Sequence, residues 1–209
     1  MSAERPSRPD LDGRGLRVAI VWSRYNEEVT SSLLEAAKRT LGELGVPEGK
    51  VACASVPGAF ELPLIAQRFA ASGAYDAVVV LGAVIRGETG HYDLVASSAA
   101  AGIARVSLGT GVPVIFGVLA TDTVEQARAR AGGVLGNRGE DAARAAVEMA
   151  MLTRGLIEAA EPPPLAKSVP CARFVMPAAA GSGRASRAEP MVTGHREGHQ
   201  GWYVQSEDR

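Results

Sequence analysis

His91 is the one histidine before position 195, and it stands in GAVIRGETGHYDLV (82–95), directly after an apolar run. An imidazole titrates near neutrality, so a histidine at the open end of a buried strand is suited to moving protons. Gly87, Glu88 and Thr89 lie just before what reads as a helix start, where glycine and free N–H groups can cradle an anion. Tyr25, in SRYN (23–26), offers a flat platform to a planar heterocycle. PGAFE (57–61) bends sharply, leaving backbone N–H groups free, and Glu61 can accept hydrogen bonds from a polyol or a ring N–H. Arg130 precedes Ala131-Gly132-Gly133, whose thin side-chain cover lets an anion approach. Each of these also has an ordinary explanation: a capping histidine, a strand-end aromatic, a strand-helix turn, a solvated helix face shared with Arg128. Phe116, inside an apolar run, reads as core. His195 and His199 have i, i+4 spacing but lie among glycines without a third ligand, and read as solvated.

Four elements must hold these residues from below. LRVAIVW (16–22), VACASV (51–56), DAVVVLGAVI (76–85) and PVIFGVL (113–119) are short apolar runs rich in β-branched residues, and predict strands. Helices are expected over 27–46, 61–72, 91–111, 123–132 and 140–160. In the first, Leu33, Leu34, Ala37, Leu41 and Leu44 recur at helical spacing, and Gly45 supplies a stop. Strands that are apolar throughout, and alternate with helices, belong to a parallel sheet covered on both faces. Right-handed crossovers then give α/β architecture: a three-layer α/β/α sandwich on a four-stranded parallel sheet, doubly wound in the flavodoxin-like manner. Ligands in such folds bind beyond the carboxyl ends of the strands. Those ends are SRYN, PGAFE, RGETGH and TDT, which hold nearly all the chemically interesting side chains.

Composition narrows the function further. The 209 residues are 46% hydrophobic, enough for one domain over 16–160 with some surplus. Residues 1–15 read as a flexible arm. From Glu161 the chain carries half of its twelve prolines and no helical or strand period, which reads as a disordered, Pro-rich extension over 161–209. A net charge of −1 supplies no basic footprint for nucleic acid. Cys53 and Cys171 are too far apart in sequence to suggest a zinc cluster or a disulfide scaffold, so no metal is expected. The charged start has no apolar segment behind it and no run approaches membrane-spanning length, so a cytoplasmic protein without a membrane partner is expected.

VPGAFELP (56–63), YDAVVVLGAVIRGETGH (75–91), PVIFGVLATDTVEQARARAG (113–132) and GNRGEDAARAAVEMA (136–150), in that order, resemble lumazine synthases. The resemblance runs over about residues 16–155 without insertion, and the tail has no counterpart in the family pattern. It implies a transferase of riboflavin biosynthesis that joins 5-amino-6-(D-ribitylamino)uracil to 3,4-dihydroxy-2-butanone 4-phosphate, with neither cofactor nor metal. His91 matches the catalytic proton donor and acceptor. Tyr25, Ala59, Phe60, Glu61, Ala83, Val84 and Ile85 match the pocket for the ribitylaminouracil. Glu88 and Thr89 match the phosphate loop. Phe116 and Arg130 match residues supplied by a neighbouring subunit, Arg130 to the phosphate, and Arg138 stands where a lysine near the site is usual. The family pattern also has proline more often at Gly90, an acidic residue at Ser98 and lysine at Val134. A homo-oligomer built on pentamers, with active sites at subunit interfaces, is implied, and riboflavin synthase is a candidate partner protein.

Two other readings compete. A shell-forming or flavin-holding relative without turnover would keep the fold but would need none of His91, Arg130 and Tyr25. A flavodoxin-like regulator would need a phosphoacceptor-type acidic cluster at the strand ends, which the sequence lacks.

Overall fold

AVVVLGAVI forms β3 (Ala77–Ile85), a strand buried along nearly its whole length in a computed structural model that describes residues 10–160. Valine and isoleucine favour this pleated, two-sided burial because their branched Cβ stiffens the side chain and packs well on a sheet. Beside it lie β1 (Val18–Ser23) and β4 (Val114–Thr121), and β2 (Val51–Val56) flanks β1, giving the order β2-β1-β3-β4 with every pairing parallel. The chain steps outward from β1 to β2, returns across β1 to β3, and continues to β4. The reversal between β1 and β3 opens a crevice at their carboxyl ends.

Pleating sorts the strand residues into two cores. Val18, Ile20, Val79 and Leu81 face α1 (Glu27–Glu43) and α5 (Arg138–Ala160), where Leu33, Leu41, Ala143 and Val147 meet them. Ala19, Val21, Val78 and Val80 face α2 (Leu62–Ala71) and α3 (His91–Thr110), against Leu62, Ala66 and Ile103. This is the expected α/β/α sandwich: continuous apolar strands because both faces are covered. Gly82 breaks the run of side chains in β3. A Cβ there would lie 3.1 Å from both Leu62 Cδ1 and Ser23 Oγ, so a side chain at this point would make α2 and β1 give way by a few tenths of an ångström.

Some expectations need revision. The helix predicted over 123–132 is α4 (Val124–Ala129), and an antiparallel hairpin of β5 (Ala131–Gly133) and β6 (Gly136–Asn137) follows it. Three residues and two residues of mostly glycine carry no periodic signal. The last helix begins at Arg138, two residues before the predicted start, because Asn137 Oδ1 accepts the Gly139 N–H at 2.8 Å. The arm expected over 1–15 is attached at its end: the Gly13 N–H donates to the Leu44 carbonyl at 2.7 Å and Leu11 packs on the first core. The extension expected over 161–209 lies outside the described residues. No helix among the described residues is long and apolar enough to cross a membrane.

Candidate active site

A cavity of about 830 Å³ occupies the crevice at the carboxyl ends of β1, β2 and β3. β1 delivers Tyr25, which is 75% exposed and has no core role. Its neighbour Asn26 takes the left-handed conformation, φ 59° and ψ 50°, the one non-glycine residue to do so among those described. Asparagine tolerates that region better than most side chains. Its amide Nδ2 donates to the Ala83 carbonyl at 2.9 Å, tying the end of β1 to the end of β3 beside the cavity that Asn26 lines. β2 runs into a short 3₁₀ turn, Ala59–Glu61, where Glu61 Oε2 accepts the Gly58 N–H at 3.0 Å. Ala59, Phe60 and Glu61 all line the cavity, with Ala83, Val84 and Ile85 from β3.

His91 is the first residue of α3 and is exposed at the cavity wall. The N-cap, Gly90, has no side chain to cap this helix, so beyond the His91 N–H its first-turn N–H groups are open to an acceptor. Gly87 and Thr89 line the same cavity, and Thr89 Oγ1 lies 3.4 Å from the His91 nitrogen. Glu88 is exposed in the loop and lies outside the cavity lining.

A second, smaller cavity of about 430 Å³ lies along β4 and holds Phe116, Arg130 and Arg138. The two cavities share no residue. Phe116, expected in the core, is 46% exposed because β4 is an edge strand and nothing among the described residues covers its ring. The β5–β6 hairpin brings the arginines together: the Arg138 N–H donates to the Arg130 carbonyl at 2.9 Å. Arg130 Nη1 donates to the Gln126 carbonyl of its own helix at 3.0 Å, and Arg138 pairs with Asp141 at 2.7 Å. Gly139 makes this placement possible, since a methyl group there would overlap the Leu33 carbonyl of α1. Arg128 is not merely solvated. It forms a bidentate pair with Glu28 at 2.7 and 2.9 Å, fixing α4 against α1 and holding the Glu28 carboxyl below its ordinary range.

The residues singled out in the sequence thus fall into two groups. Tyr25, Ala59, Phe60, Glu61, Ala83, Val84, Ile85, Thr89 and His91 meet in the larger cavity, while Phe116, Arg130 and Arg138 meet in the smaller one. Asn26 and Tyr92 also line the larger cavity and had not been singled out. For Asn26 the signal was present, because SRYN is a strand end and asparagine is a left-handed former. Among the described residues no three His, Cys, Asp or Glu side chains group as a metal centre would require. What the larger cavity can do is hold a flat polar ring between an aromatic and a carboxylate, with an anion at the helix start and an imidazole beside both. A family model described as 6,7-dimethyl-8-ribityllumazine synthase matches residues 15–154, a span that includes every residue of both cavities.

Proposed function

The chain belongs to the 6,7-dimethyl-8-ribityllumazine synthase family, transferases of riboflavin biosynthesis, and on that premise we propose that it catalyses the condensation for which the family is named. In this reading 5-amino-6-(D-ribitylamino)uracil and 3,4-dihydroxy-2-butanone 4-phosphate give 6,7-dimethyl-8-ribityllumazine, phosphate and water. The observation that carries it is the position of His91: at an uncapped helix start, on the wall of a cavity at the sheet's switch point, beside a glycine-bearing loop.

The residues divide the work. Tyr25 and Phe60 supply aromatic walls for the uracil, and Glu61 accepts from its N–H groups or from the ribityl hydroxyls. The N–H groups of Glu88 and Thr89, with the α3 start, receive the phosphate. The 5-amino group attacks the ketone and water is lost, giving an imine. Phosphate then departs with the electrons of its C–O bond as a neighbouring C–H proton is removed, and the resulting enol tautomerises to a ketone. The ribitylamino nitrogen closes the ring on that carbonyl with loss of a second water. Every step moves a proton, and His91 can give or take each in turn. Holding both substrates in reacting orientation supplies much of the remaining acceleration.

Phe116, Arg130 and Arg138 form a separate half-site that needs a counterpart. We place it against the larger cavity of a neighbouring subunit, so that the active sites lie between subunits of a homo-oligomer built on pentamers. The exposure of Phe116 supports this, since its ring is uncovered among the described residues. Riboflavin synthase, which would consume the product, is the partner protein this reading offers, and the cytoplasm is its compartment.

The test is direct. The parent protein should form lumazine and release phosphate from the two substrates, above the spontaneous background. His91→Ala should lower turnover by roughly 10–10³-fold while leaving assembly intact. Unchanged turnover with both substrates saturating would remove His91 from the chemistry.

A further inference from the structure

Arg86 directly follows β3, and its backbone N–H extends the β3–β4 ladder by donating to the Thr121 carbonyl at 2.9 Å. Its side chain reaches three further groups. Nε donates to Asp122 Oδ1 at 2.8 Å, just past β4. Nη1 and Nη2 lie 3.4 Å from the two carboxylate oxygens of Asp93, in the first turn of α3. The guanidinium carbon sits 4.0 Å from the centre of the Tyr92 ring. Asp122 is itself fixed, its N–H donating to Gln126 Oε1 at 3.0 Å. Arg86 lines neither cavity, whereas Tyr92 and His91 both line the larger one.

Between Arg86 and His91 lie four residues, Gly87 to Gly90, tied to the helix they enter by one long side-chain hydrogen bond, from the His91 N–H to Thr89 Oγ1 at 3.4 Å. A loop so weakly tied internally takes its shape from its ends. One end is the β3 terminus; the other is the first turn of α3, and Arg86 grips both. Arginine suits the task, since its planar fork can serve two carboxylates and stack on an aromatic ring at once. Exposed ion pairs add little to global stability. Here the side chains are 44%, 63% and 64% exposed, so what the cluster contributes is orientation.

We propose that Arg86 is a positioning residue: by clamping Asp122, Asp93 and Tyr92 it sets the angle at which α3 leaves the loop, and hence where the His91 imidazole meets the substrate. This rests on the condensation proposed above. Misplacement of a catalytic group by about 1 Å can cost on the order of 10²-fold. Arg86→Ala should therefore lower kcat by roughly 10–100-fold. The KM for the ribitylaminouracil, whose other walls come from β1 and the 59–61 turn, should hold. Arg86→Lys should recover only part, because an ammonium cannot span both carboxylates. Adding Asp122→Asn to Arg86→Ala should cost nothing more, since the two act as one unit.

Hydrogen exchange read by mass spectrometry supplies a readout that needs no activity. In Arg86→Ala the amides of residues 87–94 should exchange about tenfold faster, with β1, β2 and α5 unchanged. Unchanged kcat with unchanged exchange would overturn the proposal. So would full recovery by lysine, or faster exchange throughout the domain, which would mark a general structural support. If the parent protein forms no lumazine, the functional reading fails and the exchange pattern alone decides the role of Arg86. Should Arg86→Ala not fold, Asp93→Asn and Asp122→Asn remove the two partners at native size, and the same readouts apply.

Discussion

The two arginines of the smaller cavity are adjacent but unequal, and the difference fixes the sign of two substitutions. Among the described residues Arg130 has no carboxylate at ion-pair distance; its guanidinium donates one hydrogen bond, to the Gln126 carbonyl. Arg138 is already engaged by Asp141 at 2.7 Å. A phosphate arriving here meets a full charge at Arg130 and a partly neutralised one at Arg138. A charge-assisted hydrogen bond contributes about 1.5–3 kcal/mol. Arg130→Ala should accordingly raise the KM of the phosphorylated ketone roughly 12–150-fold, with little change in kcat at saturation. Asp141→Asn acts in the opposite direction. The Arg138–Asp141 pair is half-exposed and worth about 0.2–1 kcal/mol, so releasing Arg138 should tighten phosphate binding about 1.5–5-fold. Initial rates at saturating ribitylaminouracil, with the ketone phosphate varied, measure both effects. Inhibition by inorganic phosphate should shift by the same factors. If Arg130→Ala lowered kcat and spared KM, or Asp141→Asn weakened phosphate, the anion would not be bound by these groups.

The half-sites can be recombined. Assayed with the ketone phosphate well below the parental KM, where Arg130→Ala is nearly inactive, His91→Ala and Arg130→Ala chains unfolded and refolded together in equal amounts should regain about one quarter of parental activity, because each site needs the right donor on both sides in a ring of heterologous contacts. Recovery no better than the separate mutants, with mixed rings confirmed by mass, would mean both residues serve one subunit's site. Gly139→Ala forces a methyl group onto the Leu33 carbonyl and should cost about 1–3 kcal/mol, lowering Tm by roughly 2–10 °C; an unchanged Tm would show that α5 does not start where it is placed. The Glu28 carboxyl is held below its ordinary 4.5 by its hydrogen bonds with Arg128, so the pair stabilises fully above that value and loses its effect as pH falls through the lower, folded one. Glu28→Gln should therefore have a lower Tm than the parent at neutral pH, and the two melting curves should converge in acid; a gap that persists at low pH would assign the difference to something other than this ion pair.

Four strands and the parallel sheet were legible because a strand buried on both faces must be apolar throughout, and β3 meets that condition almost without interruption. The larger cavity was legible for a related reason, as a sheet of this topology binds ligands at strand ends and the chain has few polar side chains elsewhere in those segments. The family resemblance grouped the rest. What stayed hidden depends on contacts between residues distant in sequence. Nothing local marks Arg86, Asp93 and Asp122 as one cluster. Phe116 looks like any core aromatic until β4 is known to be an edge strand. The β5–β6 hairpin is built from glycines, whose left-handed turns at Gly132 and Gly136 leave no hydrophobic trace. Asn26 is legible from its type and place, an asparagine at a strand end where the chain turns, beside the more conspicuous Tyr25.

The vacancy at Gly82 does more than relieve crowding. Valines on both faces of β3 make it nearly indifferent, on hydrophobic grounds alone, to which set of residues faces which layer of helices. A shift by one position would exchange the sets; a shift by two would restore them and move the strand about 6–7 Å along its axis. Neither shift leaves a gap opposite Leu62 and Ser23, because Leu81, Ala83, Val80 and Val84 would each bring a side chain to that place. Gly82 is thus a steric index mark on an otherwise ambiguous ruler. Since the loop to His91 departs from the end of the same strand, the register that Gly82 favours also carries through, nine residues on, to the height of the imidazole above the sheet.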